Sequence, residues 1–246
     1  MEKKLLIFDL DGTLFLSKES YKLILSELVG ARYNQNPEDV LKSYNFAETL
    51  MEENKEYKTA DDFFKEFNSL FLEQIGVKAT DEALEDLQGI VKEMKRRAPT
   101  ELKMYPSAKE TLNELKNQGY KIALLTGSWD KNIEVFSDEY INSKVERVNQ
   151  LLKNVGIHSI FDQIFVAYVD RILKPDPEAF QKVLNHFNIG SDEALMIGDS
   201  EADIKASDIG IKTILFDPKG EYKEKTQPHY RFKDFSELID LVNNID

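Results

Sequence analysis

Short apolar runs that break off into polar residues constrain this chain more than any other feature. Leu5–Phe8 runs into Asp9, Lys121–Leu125 into Thr126-Gly127-Ser128, and Ala194–Ile197 into Gly198-Asp199; Ile164–Val166 and Lys212–Phe216 are of the same kind. Apolar runs this short read as strands buried on both faces. After about residue 105 they alternate with helical patterns. Repeated strand–helix units predict a parallel sheet with helices on both faces, and ligands in such sheets bind beyond the carboxyl ends of the strands.

The helical patterns carry their own punctuation. Ser107 and Glu110 have the spacing of a capping box, Leu112 and Leu115 mark a buried face, and Gly119 ends that helix. Asp176-Pro177 opens another, with Phe180, Val183, Leu184 and Phe187 on one side. A helix from about Asp203 to Ile209 stops at Gly210, and Lys212–Phe216 reads as the last strand. Residues 129–158 form a longer connection than one crossover helix needs, with helix from about Asn142 to Asn154, and Gly220 to Pro228 reads as a surface loop.

Residues 17–98 depart from this rhythm and read as helix after helix. Tyr21, Ile24, Leu25 and Leu28 make one stripe, and Asn36-Pro37 starts a helix carrying Val40, Leu41, Tyr44 and Ala47. Thr59 caps a third, with Phe63, Phe64, Phe67, Leu70 and Phe71 on a single face, and Leu84, Leu87, Val91 and Met94 line a fourth. Helical spacing makes the phenylalanines core rather than a ligand box. Lys95–Arg97 and Ala98-Pro99 are expected at a return hinge, the charges there being a solvated face. The predicted fold class is α/β: a Rossmann-like parallel sheet core over 1–16 and 99–246, with an inserted all-helical domain over 17–98.

The chain has 246 residues, 41% hydrophobic and 31% charged, with a net charge of −13 and no cysteine. Disulfides, thiolate metal sites and thiol nucleophiles are excluded. The negative balance argues against a nucleic-acid binder, which needs a basic face. No apolar run approaches the length that crosses a bilayer and no signal peptide opens the chain, so a cytoplasmic protein without a membrane partner is expected. His158, His186 and His229 are scattered without ligand spacing and are expected to be structural or exposed.

Chemistry concentrates at the strand ends. Asp9 and Asp11, two residues apart, project to the same side, Gly12 permits a sharp turn close to a ligand, and Thr13 adds a hydroxyl. A calcium loop of the EF-hand kind would need its glycine sixth and a glutamate twelfth; here Gly12 is fourth and Ser20 twelfth. Thr126 and Gly127 offer a hydroxyl and backbone N–H groups to phosphate oxygens, and Lys174, before Pro175, offers a point charge. Gly198-Asp199 with Asp203 supplies a second acidic pair, the oxygen donors that Mg²⁺ prefers.

In this order the motifs resemble the haloacid dehalogenase (HAD) superfamily across the whole chain, and the helical insertion resembles that family's helical cap. Asp11 is present, whereas dehalogenases lack the second aspartate and phosphonatases replace it. Asp199 with Asp203 is closer to the phosphoglycolate-phosphatase-like branch than to β-phosphoglucomutases, although Phe15-Leu16-Ser17 stands where that branch usually has Asp-Ser.

The resemblance implies a phosphatase acting on a small phosphorylated metabolite through an aspartyl-phosphate. Asp9 would be the nucleophile and Asp11 the proton donor and then the base. Asp9, the Asp11 carbonyl and Asp199 would hold Mg²⁺, with Asp203 behind them orienting a water on the ion. Thr126, Lys174 and the N–H groups of Gly12 and Gly127 would grip the phosphate. A phosphomutase, a nucleotidase and an inactive binding protein on the same scaffold are the alternatives. The substrate and the oligomeric state are not encoded in these motifs.

Overall fold

The computed structural model describes residues 4–53, 60–127 and 137–245, without the side chains of residues 18, 19, 52, 53, 60–64 and 140. Thr59, Ser128 and the Phe63 and Phe64 side chains therefore lie outside the described residues. Two compact units emerge, one of residues 1–16 with 103–246 and one of residues 17–102.

Among the described residues the first unit is built on six parallel strands: β1 (Leu5–Phe8), β2 (Lys121–Thr126), β3 (Gln163–Val166), β4 (Ala194–Gly198), β5 (Lys212–Phe216) and β6 (Tyr230–Phe232). Their order across the sheet is β3-β2-β1-β4-β5-β6. β1 is central, with Phe8 beside Leu124 on one side and Ile197 on the other. The strand order reverses direction between β1 and β4, where a doubly wound sheet opens its ligand crevice. Alternate residues Leu5, Ile7, Ala123, Leu125, Ala194 and Met196 face one side, where Phe180, Val183 and Leu184 of α7 (Pro177–Phe187) cover them. Each such buried Leu, Ile, Val, Phe or Met side chain contributes about 1.5–3 kcal/mol. Asp176 caps α7 by accepting the Glu178 N–H at 2.9 Å, as its Asp-Pro opening predicts.

Several boundaries differ from the sequence reading. Ser107 precedes α5 (Ala108–Asn117) but sits at φ 61 and makes no side-chain cap. An N-cap normally needs extended backbone, so the left-handed turn forfeits the capping box. The helix in the long connection, α6 (Asp138–Asn154), begins four residues earlier than expected. The segment after Asp199 splits into a one-turn α8 (Glu201–Ile204) and a 3-10 stretch over Lys205–Ile209. Beyond β5 the sheet gains β6 and the chain adds α9 (Phe235–Asn243), where the Phe235 carbonyl accepts from Thr111 Oγ1 of α5 at 2.9 Å.

The second unit contains α1 (Ser17–Tyr33), α2 (Pro37–Glu53), α3 (Ala60–Gln74) and α4 (Asp81–Glu101). Leu25, Val29, Val40, Ala47, Phe67, Phe71 and Leu87 form its core. Tyr44 meets Phe67 edge-on at 5.0 Å between ring centroids. Asp86 ties α4 to α1 through Arg32 at 2.7 Å and Tyr33 at 2.9 Å. Lys95–Pro99, expected at a hinge, instead lie inside α4, where Arg97 pairs with Glu101 one turn on at 2.6 Å. Among the described residues no helix is long and apolar enough to cross a membrane.

Candidate active site

Three adjacent strands, β2, β1 and β4, deliver Thr126, Asp9 and Asp199 to the carboxyl edge of the sheet. The Asp9 N–H donates to the Ile197 carbonyl at 2.9 Å, which extends the sheet's register one residue past β1, and Asp9 is buried, 7% exposed. The chain then turns tightly, Gly12 donating to the Phe15 carbonyl at 2.8 Å. Gly12 sits at φ +90, and a Cβ there would fall 2.3 Å from Asp199 Oδ2. Only glycine lets this turn and the Asp199 carboxylate share the space. Thr13 Oγ1 lies 3.1 Å from Asp199 Oδ1 and 3.4 Å from Asp9 Oδ2, so its single proton favours Asp199.

Lys174 enters from the loop after β3. Its backbone N–H donates to the Gly127 carbonyl at 3.2 Å, anchoring that loop to the end of β2. Its Nζ is 2.5 Å from Asp9 Oδ1 and 2.5 Å from Asp203 Oδ1, and the side chain is 1% exposed. Asp203 is fully buried; its other oxygen accepts from Ser200 Oγ at 2.6 Å and Ser200 N–H at 3.1 Å. Gly198 permits this approach, because a Cβ there would overlap Asp203 Cγ at 2.2 Å.

One ammonium faces more negative charge than it can balance. Burial pushes the Asp9 carboxyl well above the usual carboxylate range; Lys174 opposes this, while the charges of Asp203 and Asp199 add to it. Burial, then the Asp203 charge, pushes Asp199 up to about 7 against the Thr13 hydrogen bond. For Lys174, burial alone would lower the pKa, but Asp203 and Asp9 outweigh it and the net shift is upward.

Carboxylate oxygens of Asp9, Asp199 and Asp203 all lie within 4.8 Å of one another. Hard oxygen donors, surplus negative charge and a glycine-lined cradle together fit a hard divalent cation.

Asp9, Asp199 and Lys174 line a cavity of about 180 Å³ with Asp11, Thr126 and Gly127. That is small beside the roughly 300–1,000 Å³ of drug-sized pockets. Asp11 is exposed at its mouth, while Thr126 is 6% exposed in its wall. The expected residues thus converge: Asp9, Asp11, Thr126, Gly127, Lys174 and Asp199 share the cavity, Gly12 abuts Asp199, and Asp203 lies behind Lys174.

Lys144, Arg147, Val148 and Tyr168 also line the cavity and were not anticipated. Arg147 reaches Asp11 Oδ1 at 3.3 Å, across 136 residues of sequence. The i, i+3, i+4 spacing of 144, 147 and 148 was a legible helical stripe, but nothing local said where α6 would end up. The histidines stand apart from the cavity: His158 meets Asn149 at 3.0 Å, His229 meets Thr213 Oγ1 at 3.1 Å, and His186 packs on Phe165.

Residues 3–207 match the family model of haloacid dehalogenase-like hydrolases. The pyrophosphatase PpaX of Bacillus thuringiensis is 26% identical over 100% of this chain and 99% of its own length. A glyceraldehyde 3-phosphate phosphatase of Pyrococcus furiosus is 27% identical over 60% of this chain, which spans only 56% of that relative.

Among solved structures, the putative HAD-hydrolase YfnB of Bacillus subtilis, bound to magnesium, superposes with a TM-score of 0.76 at 21% identity over 100% of both chains. A predicted phosphoglycolate phosphatase of Haemophilus somnus gives 0.64 at 21% identity over 98% of each. At that identity the likeness concerns the fold. The family match covers most of the chain, and the protein is accordingly a hydrolytic enzyme that belongs to the haloacid dehalogenase-like hydrolases.

Proposed function

We propose that this hydrolase is a Mg²⁺-dependent phosphatase of small phosphorylated metabolites, working through a phosphorylated Asp9. The observation that carries the reading is the cluster of Asp9, Asp199 and Asp203 oxygens within 4.8 Å, with Lys174 Nζ 2.5 Å from Asp9, and a cavity that Asp9, Asp199 and Lys174 line together with Thr126 and Gly127. Relatives named as a pyrophosphatase and a glyceraldehyde 3-phosphate phosphatase support the substrate class.

Asp9 attacks phosphorus in line: an Asp9 O–P bond forms as the bond to the leaving oxygen breaks. Asp11, at the cavity mouth, gives its proton to the departing oxygen. In the second half it takes a proton from the water that cleaves the acyl phosphate, and orthophosphate leaves. Thr126, the Gly127 N–H and Lys174 hold the non-bridging oxygens, since phosphoryl transfer depends on positioning and charge neutralisation; the Gly12 N–H, expected to join them, is instead taken by the Phe15 carbonyl at 2.8 Å within the turn. Asp203 acts through Lys174 and Ser200, keeping the ammonium aimed at Asp9. Asp9, the Asp11 carbonyl and Asp199 would hold Mg²⁺, which when bound supplies positive charge to the phosphoryl oxygens and the crowded carboxylates.

The test is phosphate release from a panel of small esters and anhydrides, with Mg²⁺ and with chelator. Free phosphate, lost with chelator and lost in Asp9→Asn, supports the reading. An active Asp9→Asn protein overturns it, and an isomerised sugar phosphate without free phosphate would mark a mutase instead.

A further inference from the structure

We propose that Lys144 and Arg147 form a subsite for a second anionic group, carried on the departing part of the substrate. The preferred substrates are then small phosphate esters or anhydrides whose leaving group is itself an anion. This rests on the phosphatase reading above.

Helix α6 places the two cations three residues apart, on the stripe that Val148 continues, and all three line the cavity. Residues at this spacing are neighbours on a helix surface. Glu146, between them in sequence, is exposed. Two positive side chains turned into one small cavity stand out in a chain of net charge −13.

Their position within the cavity indicates which end of the substrate they serve. Lys174 is held at 2.5 Å by each of two carboxylates, on the side of the attacking Asp9. Arg147 lies 3.3 Å from Asp11, the group that serves the departing oxygen, and so stands on the departing side. A guanidinium presents five N–H donors in a planar fork, enough to hold Asp11 and still meet a carboxylate or phosphate. The Lys144 ammonium lies 5.3 Å from the centroid of the Tyr168 ring, a contact that orients an ammonium while leaving its charge intact. Two oriented cations and an aromatic wall match a compact anion better than a neutral hydroxylated fragment. The cavity's 180 Å³ keeps that fragment small.

The experiment compares kcat and KM for phosphoglycolate, pyrophosphate and glycerol 1-phosphate in the wild type, Lys144→Gln and Lys144→Arg. Loss of one charge-assisted contact corresponds to roughly a 10–100-fold change. Lys144→Gln should lower kcat/KM by that factor for phosphoglycolate, pyrophosphate or both, mainly through KM. The loss for glycerol 1-phosphate should be clearly smaller, and Lys144→Arg should restore the preference. Whichever anionic substrate responds identifies the second group as carboxylate or phosphate. Equal losses on all three substrates overturn the subsite and leave the phosphatase reading standing. A wild-type enzyme that releases phosphate from none of them overturns both.

Discussion

Lys174 Nζ lies 2.5 Å from Asp203 Oδ1, and both side chains are shut away from solvent. Such a pair is expensive to desolvate, so its partners are tolerated only together. Asp203→Ala leaves a buried ammonium with Asp9 alone and should cost about 3–5 kcal/mol, the usual penalty for breaking a buried pair. Urea denaturation measures it; a loss under about 1 kcal/mol would show that the pair is not needed for stability.

Asp9→Asn should separate chemistry from folding. Burial already disfavours the Asp9 carboxylate, so a neutral amide of the same shape is expected to change stability little. Phosphate release should nonetheless fall to background, because an amide cannot accept the phosphoryl group. Parallel circular dichroism and turnover assays check both halves.

The crowded carboxylates should make the fold responsive to divalent metal. At a concentration 100 times its dissociation constant, a ligand of the native state adds about 2.7 kcal/mol. Mg²⁺ is therefore expected to raise the melting temperature and chelator to reverse the rise, with Asp199→Asn blunting it. An unchanged wild-type melting curve at millimolar Mg²⁺ would count against the ion site.

Asp162 offers a test of pH dependence away from the cavity. Burial pushes its carboxyl up, but Lys116 at 2.6 Å and the Ile122 N–H at 2.8 Å outweigh that, and the net shift is downward. A depressed pKa gives stability that is present above the unfolded value of about 3.9 and lost as pH falls through the folded value. Asp162→Asn should thus be less stable than wild type at neutral pH, with the gap closing in acid. A gap that stays constant from neutral to acid pH would assign the effect to something other than this charge.

The helical unit has a core of its own, around Phe67, Phe71 and Leu87. We expect it to be the specificity module, so exchanging residues 17–102 for another helical insertion should reorder the preferred substrates. An unchanged ranking on the ester panel would contradict that role.

Much of this is legible in the sequence. Strand ends betray themselves through the break from apolar to acidic or glycine residues, so Asp9, Thr126 and Asp199 could be assigned to one edge of a parallel sheet. Local signals that depend on backbone conformation were less dependable. Ser107 has capping-box spacing, but its positive φ forfeits the cap. The three-residue β6 is too short to show a period. Pro99 hid the continuity of α4, whose packed length carries it to Glu101.

The sequence by itself determined the fold class, the helical insertion and the residue types gathered for phosphate chemistry, because these follow from periodicity and from the chemistry of side chains at strand ends. Only the tertiary structure decided that Asp203 holds Lys174 and that α6 brings Lys144 and Arg147 into the cavity. Such contacts join residues far apart in the chain, and their geometry depends on how every intervening element packs, which no local pattern encodes.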